Sequence, residues 1–459
     1  MIESISKKTK NTYIYAAAGQ GAIYAMVSSW ALRYYTDVLG LELAFIMALM
    51  WVARMINAFA DPVVGILVDR TNSRKGKMRP YLQYTPFIIS LLTILLFVDI
   101  GIESQLIKCI YAGFIYIAWG IAYSFADSPL WGLPCDLTTN SEDRNKLYSL
   151  AKILNSIGGA IPTVVVSLLM SEQLLGVQKG IFFSAIGISV IGLIPFALVY
   201  PNTKEIHQGK TETISLKKQF KYTWENKILM LVVLSGILGF GRYLIQGAYT
   251  YCAEYVFECS SEFINSFKQV IGFALIGIGM FPTMILTPYL VKKYSYKWLM
   301  IGAGLLSTIT MIAFYFVGFA TNYNFYIALI FLFLSGLPLG VFNIIITSVV
   351  GECVDYFEWK KGVRMEGMAA SMTTFLAKVG SAIALGIIPL ILMIVDYKAD
   401  QVQSESAKKG IFMLITIIPA ISMFLCTIPM FFYDFVGEKR EKALVELAQK
   451  REQEQINWF

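Results

Sequence analysis

Hydrophobic runs of about 20 residues recur from one end of the 459-residue chain to the other, each long enough as a helix to cross a hydrocarbon layer of roughly 30 Å. In lipid, every backbone N–H and C=O must be satisfied within the segment, so such runs fold as helices. The composition agrees, with 56% hydrophobic and 15% charged residues, too apolar for an ordinary soluble domain. Candidate spans lie near 12–35, 42–68, 81–100, 106–130, 147–170, 180–200, 228–252, 264–290, 298–319, 324–350, 366–395 and 410–434. The first follows Lys7, Lys8 and Lys10 with no small-residue cleavage site, so it is expected to be retained. The six cysteines show neither paired nor metal-ligand spacing and are expected as free thiols.

A net charge of +7 could suggest nucleic acid as a partner, but topology explains it better. With both termini cytoplasmic, the inner loops and tails hold about 27 of the 38 Lys and Arg residues and the outer loops about 6, as the positive-inside rule requires. No nucleic acid is implied. The longest polar stretch, 201–227, carries the single histidine, His207, read as a solvated loop residue. It divides the chain into an N-terminal six-helix half (1–200), a cytoplasmic linker (201–227), a C-terminal six-helix half (228–434) and a cytoplasmic tail (435–459). Basic segments 68–80 and 291–298 fall at equivalent places in the two halves. The expected architecture is an all-α membrane protein of major facilitator fold, with 12 transmembrane helices in two six-helix halves around a central cavity.

Charges inside spans are costly unless they face a wet cavity or a partner. In the second span, Arg54, Asn57 and Asp61 recur at three- and four-residue steps and share one helix face. In the fourth, Tyr123, Asp127 and Trp131 stack at four-residue steps, with Pro129 expected to loosen the helix. A carboxylate beside an aromatic plate suits a sugar, whose hydroxyls want paired acceptors and whose C–H face wants an apolar surface. The structural alternatives are that Trp131 anchors the interface and that Asp127 neutralises Lys152 or Lys378.

Further residues carry a family resemblance: Tyr34-Tyr35-Thr36-Asp37 through Gly40, Ala53-Arg54, Asp61-Pro62, Arg74-Lys75-Gly76-Lys77, Ala126-Asp127-Ser128-Pro129, Arg144, Val354-Asp355-Tyr356, and Lys378 with Gly380-Ser381-Ala382. In order and spacing, over nearly the whole chain, this resembles the glycoside-pentoside-hexuronide:cation symporter family of the major facilitator superfamily. The resemblance implies substrate-binding roles for Asp127, Tyr123, Trp131, Lys152, Gln20, Asn343 and Thr373, and cation-coupling roles for Asp61, Asn57 and Lys378. Family members that carry melibiose have a second carboxylate at both the Asn57 and the Gly21 positions, so melibiose itself is not implied.

Sodium prefers several hard oxygen ligands, which Asp61, Asn57, Ser124 and Thr374 could supply, making Asp61 a candidate sodium position. Burial of one aspartate instead favours a proton, opposed by a nearby Arg54 or Lys378, and the coupling cation, H+ or Na+, is read with a slight preference for H+. At the cytoplasmic end, Arg74, Lys75, Asp355, Glu358 and Arg364 are candidate gate residues whose ion pairs would break as the halves rock. The tail is expected to form a surface helix. The sequence therefore reads as a monomeric, cation-coupled importer of a glycoside or small oligosaccharide in the bacterial cytoplasmic membrane, without a cofactor. The alternative is a lipid or lysolipid transporter of the same fold; an enzyme or channel ranks last for want of a nucleophile, metal or filter motif.

Overall fold

The computed structural model describes residues 6–71, 73–99, 101, 103–138, 140–170, 174–206, 216–397 and 403–456. His207 lies outside the described residues. The chain divides into two compact units, one of Met1–Tyr222 with Met365–Phe375 and one of Thr223–Arg364 with Leu376–Phe459.

The first unit is built on α1 (Lys7–Arg33), α2 (Leu43–Arg70), α3 (Arg79–Leu96), α4 (Gln105–Gly132), α5 (Ser141–Leu169) and α6 (Gly176–Ala197). Ser6 caps α1 by accepting the Thr9 N–H at 3.1 Å, which starts the helix ahead of the apolar run. Small residues let α1 approach its neighbours closely. A Cβ at Gly21 would run into the Asn155 carbonyl of α5, and one at Gly158 into the Ala18 carbonyl of α1. Two apolar cores flank this seam. One gathers Trp30, Tyr34, Tyr35 and Phe97, the other Tyr13, Leu82, Tyr148 and Phe196.

The second unit contains α7 (Lys227–Leu238), α8 (Gly241–Tyr255), α9 (Glu262–Ala320), α10 (Phe325–Lys361), most of α11 (Glu366–Ile394), α12 (Glu405–Ile415), α13 (Ile417–Phe431) and the tail helix α14 (Gly437–Ile456). Its core is aromatic, with Phe257 meeting Phe314, Phe325 and Phe412. The break between α7 and α8 is satisfied from α13, since the Gly241 N–H donates to Ser422 Oγ at 2.7 Å.

Among the described residues, nine helical stretches are long and apolar enough to cross a membrane. The one in α9 is broken at Ser295, where φ 64 and ψ 163 leave the helix inside the basic 291–298 segment, and it is long enough for two crossings. With α1 and α3, whose first turns are polar, the described helices are consistent with the expected twelve. Large apolar side chains such as Phe59 and Ile191, each 68% exposed, are those a hydrocarbon environment would cover.

Candidate functional site

The first unit brings Gln20, Tyr123, Asp127 and Trp131 together as buried neighbours. Gln20 Nε2 donates to Asp127 Oδ1 at 2.5 Å and to Tyr123 Oη at 2.8 Å. Trp131 Nε1 donates to the same Asp127 oxygen at 2.9 Å, the four-residue spacing having placed both on one face of α4. The Lys152 ammonium from α5 stands 3.8 Å from the centre of the Trp131 ring, a cation–π contact. Above Asp127, Tyr123 stacks on Trp119 with centroids 5.0 Å apart and meets Tyr24 at 5.1 Å. A carboxylate, an amide, a cation and aromatic faces thus converge within the membrane-spanning part of one unit.

The end of α4 is anchored so that these side chains hold their places. Pro129 sits in its last turn and the helix continues to Gly132, the Leu133 N–H closing on the Pro129 carbonyl at 3.0 Å. Pro134 has no N–H to offer the Leu130 carbonyl, and this carbonyl and the next accept side-chain hydroxyls. Tyr13 Oη donates to Leu130 O at 3.1 Å and Tyr148 Oη to Trp131 O at 2.9 Å. Sequence reasoning singled out neither tyrosine, nor Tyr24, Trp119 or Asn155.

On α2, Asp61 is fully buried and Asn57 lies against α4 where Gly120 has no side chain, since a Cβ there would occupy the Asn57 amide. Ser124 is buried on α4 and donates to the Gly120 carbonyl at 3.3 Å. Thr373 and Thr374, in the part of α11 that belongs to this unit, donate to their own helix at Ala370 and Ser371. Arg54 is half-buried on α2. Asn343 and Lys378, both half-buried, belong to the second unit.

At the end of the first unit that carries the 70–79 loop, a further set of residues holds the chain. The Asp69 carboxylate accepts the N–H groups of Gly367 and Met368 at 2.8 and 2.7 Å, capping the start of α11. Lys77 reaches Glu366 at 3.4 Å, both side chains buried. Glu205 accepts the backbone N–H groups of Lys77, Met78 and Arg79 at 2.6, 2.9 and 2.8 Å. It occupies the space a side chain at Gly76 would need, and Gly76 has φ 102. Burial pushes the Glu205 carboxyl above its ordinary range, and the Asp136 charge adds to this against the three N–H groups. Of the candidate gate residues, Arg364 pairs with Glu358 at 2.6 Å and Asp355 at 3.6 Å inside the second unit. Lys75 approaches the Tyr200 ring at 5.6 Å, and no described hydrogen bond or ion pair involves Arg74. The tail helix docks through Trp359, whose Nε1 donates to Glu446 at 2.6 Å, and through Arg440 on Glu352.

Residues 12–436 match the family described as MFS/sugar transport protein. The chain is similar to the uncharacterized symporter YjmB of Bacillus subtilis, at 28% identity over 97% of this chain and 96% of that one. It is similar to the isoprimeverose transporter of Lactiplantibacillus pentosus, at 27% identity over 94% of this chain and 89% of that one. Among solved structures, the proton:xylose symporter XylE superposes with a TM-score of 0.62 at 14% identity, covering 91% of this chain and 94% of that one. The fold is that of the major facilitators.

Proposed function

Because the chain belongs to the MFS/sugar transport family, a family of membrane transporters, we propose that it is a cation-coupled symporter that imports a glycoside or small oligosaccharide by alternating access. The observation that carries this reading is the buried Gln20–Asp127–Trp131 cluster with Lys152 over the indole. Sugar hydroxyls donate to a carboxylate and accept from an ammonium, and the C–H face of the ring packs on an aromatic plate. A lipid tail needs none of these groups. The name of the isoprimeverose transporter supports the same substrate class.

Coupling is assigned to Asp61, with Asn57, Ser124, Thr374, Arg54 and Lys378 as its supporting residues. H+ is preferred over Na+ as the coupling cation, in line with the name of the proton:xylose symporter XylE. The distribution of Lys and Arg supports cytoplasmic termini in a bacterial cytoplasmic membrane. The protein is taken to work as a monomer.

Counterflow and uptake into proteoliposomes test the reading directly. Galactosides, xylosides and glucuronides are offered with and without sodium, and with and without a pH gradient. Accumulation of at least one glycoside, collapsed by a protonophore, is expected. No movement of any glycoside, together with transport of a lysophospholipid, would overturn it.

A further inference from the structure

The side-chain amides of Gln20 and Asn155 form a chain with acceptor-only groups at both ends. Asn155 Nδ2 donates to the Ala17 carbonyl at 2.9 Å and to Gln20 Oε1 at 3.1 Å. Gln20 Nε2 in turn donates to Asp127 Oδ1 at 2.5 Å. A carbonyl and a carboxylate can only accept, so each fixes which end of its amide faces it. Gln20 has one way to satisfy both neighbours, and Asn155 enforces it. Trp131 supplies the second donor to Asp127 Oδ1, so that oxygen is filled from two sides and its carboxylate plane is set.

From this we infer that Asn155 is a positioning residue for substrate recognition: it fixes the Gln20 amide, and through it the orientation of the Asp127 carboxylate that meets sugar hydroxyls. The inference rests on the sugar-binding reading of Asp127 given above. Two features explain why the device sits here. Gly21 brings α1 against Asn155 too closely for any side chain at 21, so a second carboxylate cannot stand there. Recognition then falls on one carboxylate, whose direction matters the more. The relay also spans three helices, α1, α4 and α5, so a hydroxyl pattern read at Asp127 is referred to a rigid frame.

Donor and acceptor logic supplies the test. Asn155→Asp offers Gln20 only acceptors, which turns the Gln20 amide and presents its oxygen to Asp127. Gln20→Lys places a donor-only group between the two carboxylates and satisfies both. In purified full-length protein, Asn155→Asp should lower the thermal midpoint and weaken binding of the glycoside bound by wild type by about tenfold or more. Adding Gln20→Lys to Asn155→Asp should restore binding and much of the midpoint, the Ala17 carbonyl still lacking its donor, while in a Gln20→Leu background Asn155→Asp should lower the midpoint less than in wild type and leave binding where Gln20→Leu puts it. Effects that simply add, with no rescue, would overturn the relay and reduce Asn155 to a helix-packing residue. The thermal cycle needs no ligand: coupling without binding of any glycoside keeps the relay and sinks the sugar reading, whereas glycoside binding with additive effects does the reverse.

Discussion

Trp131 Nε1 donates to Asp127 Oδ1 across 2.9 Å from one helical turn away, while the opposite use of the same indole, its face, is taken by the Lys152 ammonium. The tryptophan therefore acts twice, through its N–H and through its ring. Charge-assisted hydrogen bonds to a buried carboxylate are each worth roughly 1.5–3 kcal/mol, so Asp127→Ala should weaken sugar affinity by about a hundredfold or more. Trp131→Phe keeps the ring and loses the N–H, for about a tenfold loss; Trp131→Ala should lose clearly more. Titration calorimetry on purified variants separates these cases, and near-native affinity in well-expressed Asp127→Ala would remove this residue from the site.

Asp61 is the fully buried carboxylate of α2, and an amide cannot titrate. Asp61→Asn should abolish accumulation against a gradient yet leave exchange of sugar across the membrane. Uptake and counterflow measured side by side check this, and full accumulation by the variant would end the coupling role of Asp61.

Asn57 stands one turn before Asp61 on α2. Asn57→Asp adds a hard anionic ligand beside it and should introduce or strengthen stimulation by sodium. Initial uptake rates across a sodium series provide the comparison. Identical sodium dependence in wild type and variant would show that position 57 does not set the cation.

How far the sequence reveals this site differs along the chain. The spans, the α4 face of Tyr123, Asp127 and Trp131 and the α2 face of Asn57 and Asp61 follow from helical periodicity, because all their members lie within two turns of one another. The bond from Gln20 to Asp127 joins residues far apart in sequence, and nothing local marks Asn155 or the tyrosine caps on α4. Asp69 reads as one more charge in a basic loop, since the N–H groups that hold it belong to Gly367 and Met368. Arg364 pairs with Glu358 and Asp355, contacts that a charge count does not specify.

Lys77 and Glu366 form a buried pair, with side chains 8% and 0% exposed. Removing one partner of such a pair costs about 3–5 kcal/mol because the other charge is stranded, whereas replacing both can be nearly neutral. Lys77→Met should therefore lower the thermal midpoint sharply, and Lys77→Met with Glu366→Gln should recover much of it. A double variant as unstable as the sum of the singles would contradict the pairing.

Glu205 has its folded-state pKa raised by burial, with Asp136 adding to the shift. The folded protein then holds this proton more tightly than the unfolded chain, so the stability it confers is present at acid pH and declines as pH rises from the ordinary carboxyl value through the folded one. Glu205→Gln does not titrate. The difference in thermal midpoint, wild type minus Glu205→Gln, should shrink as pH rises through that window, and a difference that grows would reverse the sign assigned to the shift.

The central claim is that a sugar is recognised at Asp127 in a transporter. Counterflow of a glycoside into proteoliposomes loaded with the same unlabelled sugar, in wild type and in Asp127→Asn of equal thermal stability, tests it most directly, because counterflow needs no coupling gradient. Transient accumulation of label by wild type and its loss in the variant is the expected result. Equal counterflow by both proteins would contradict the claim.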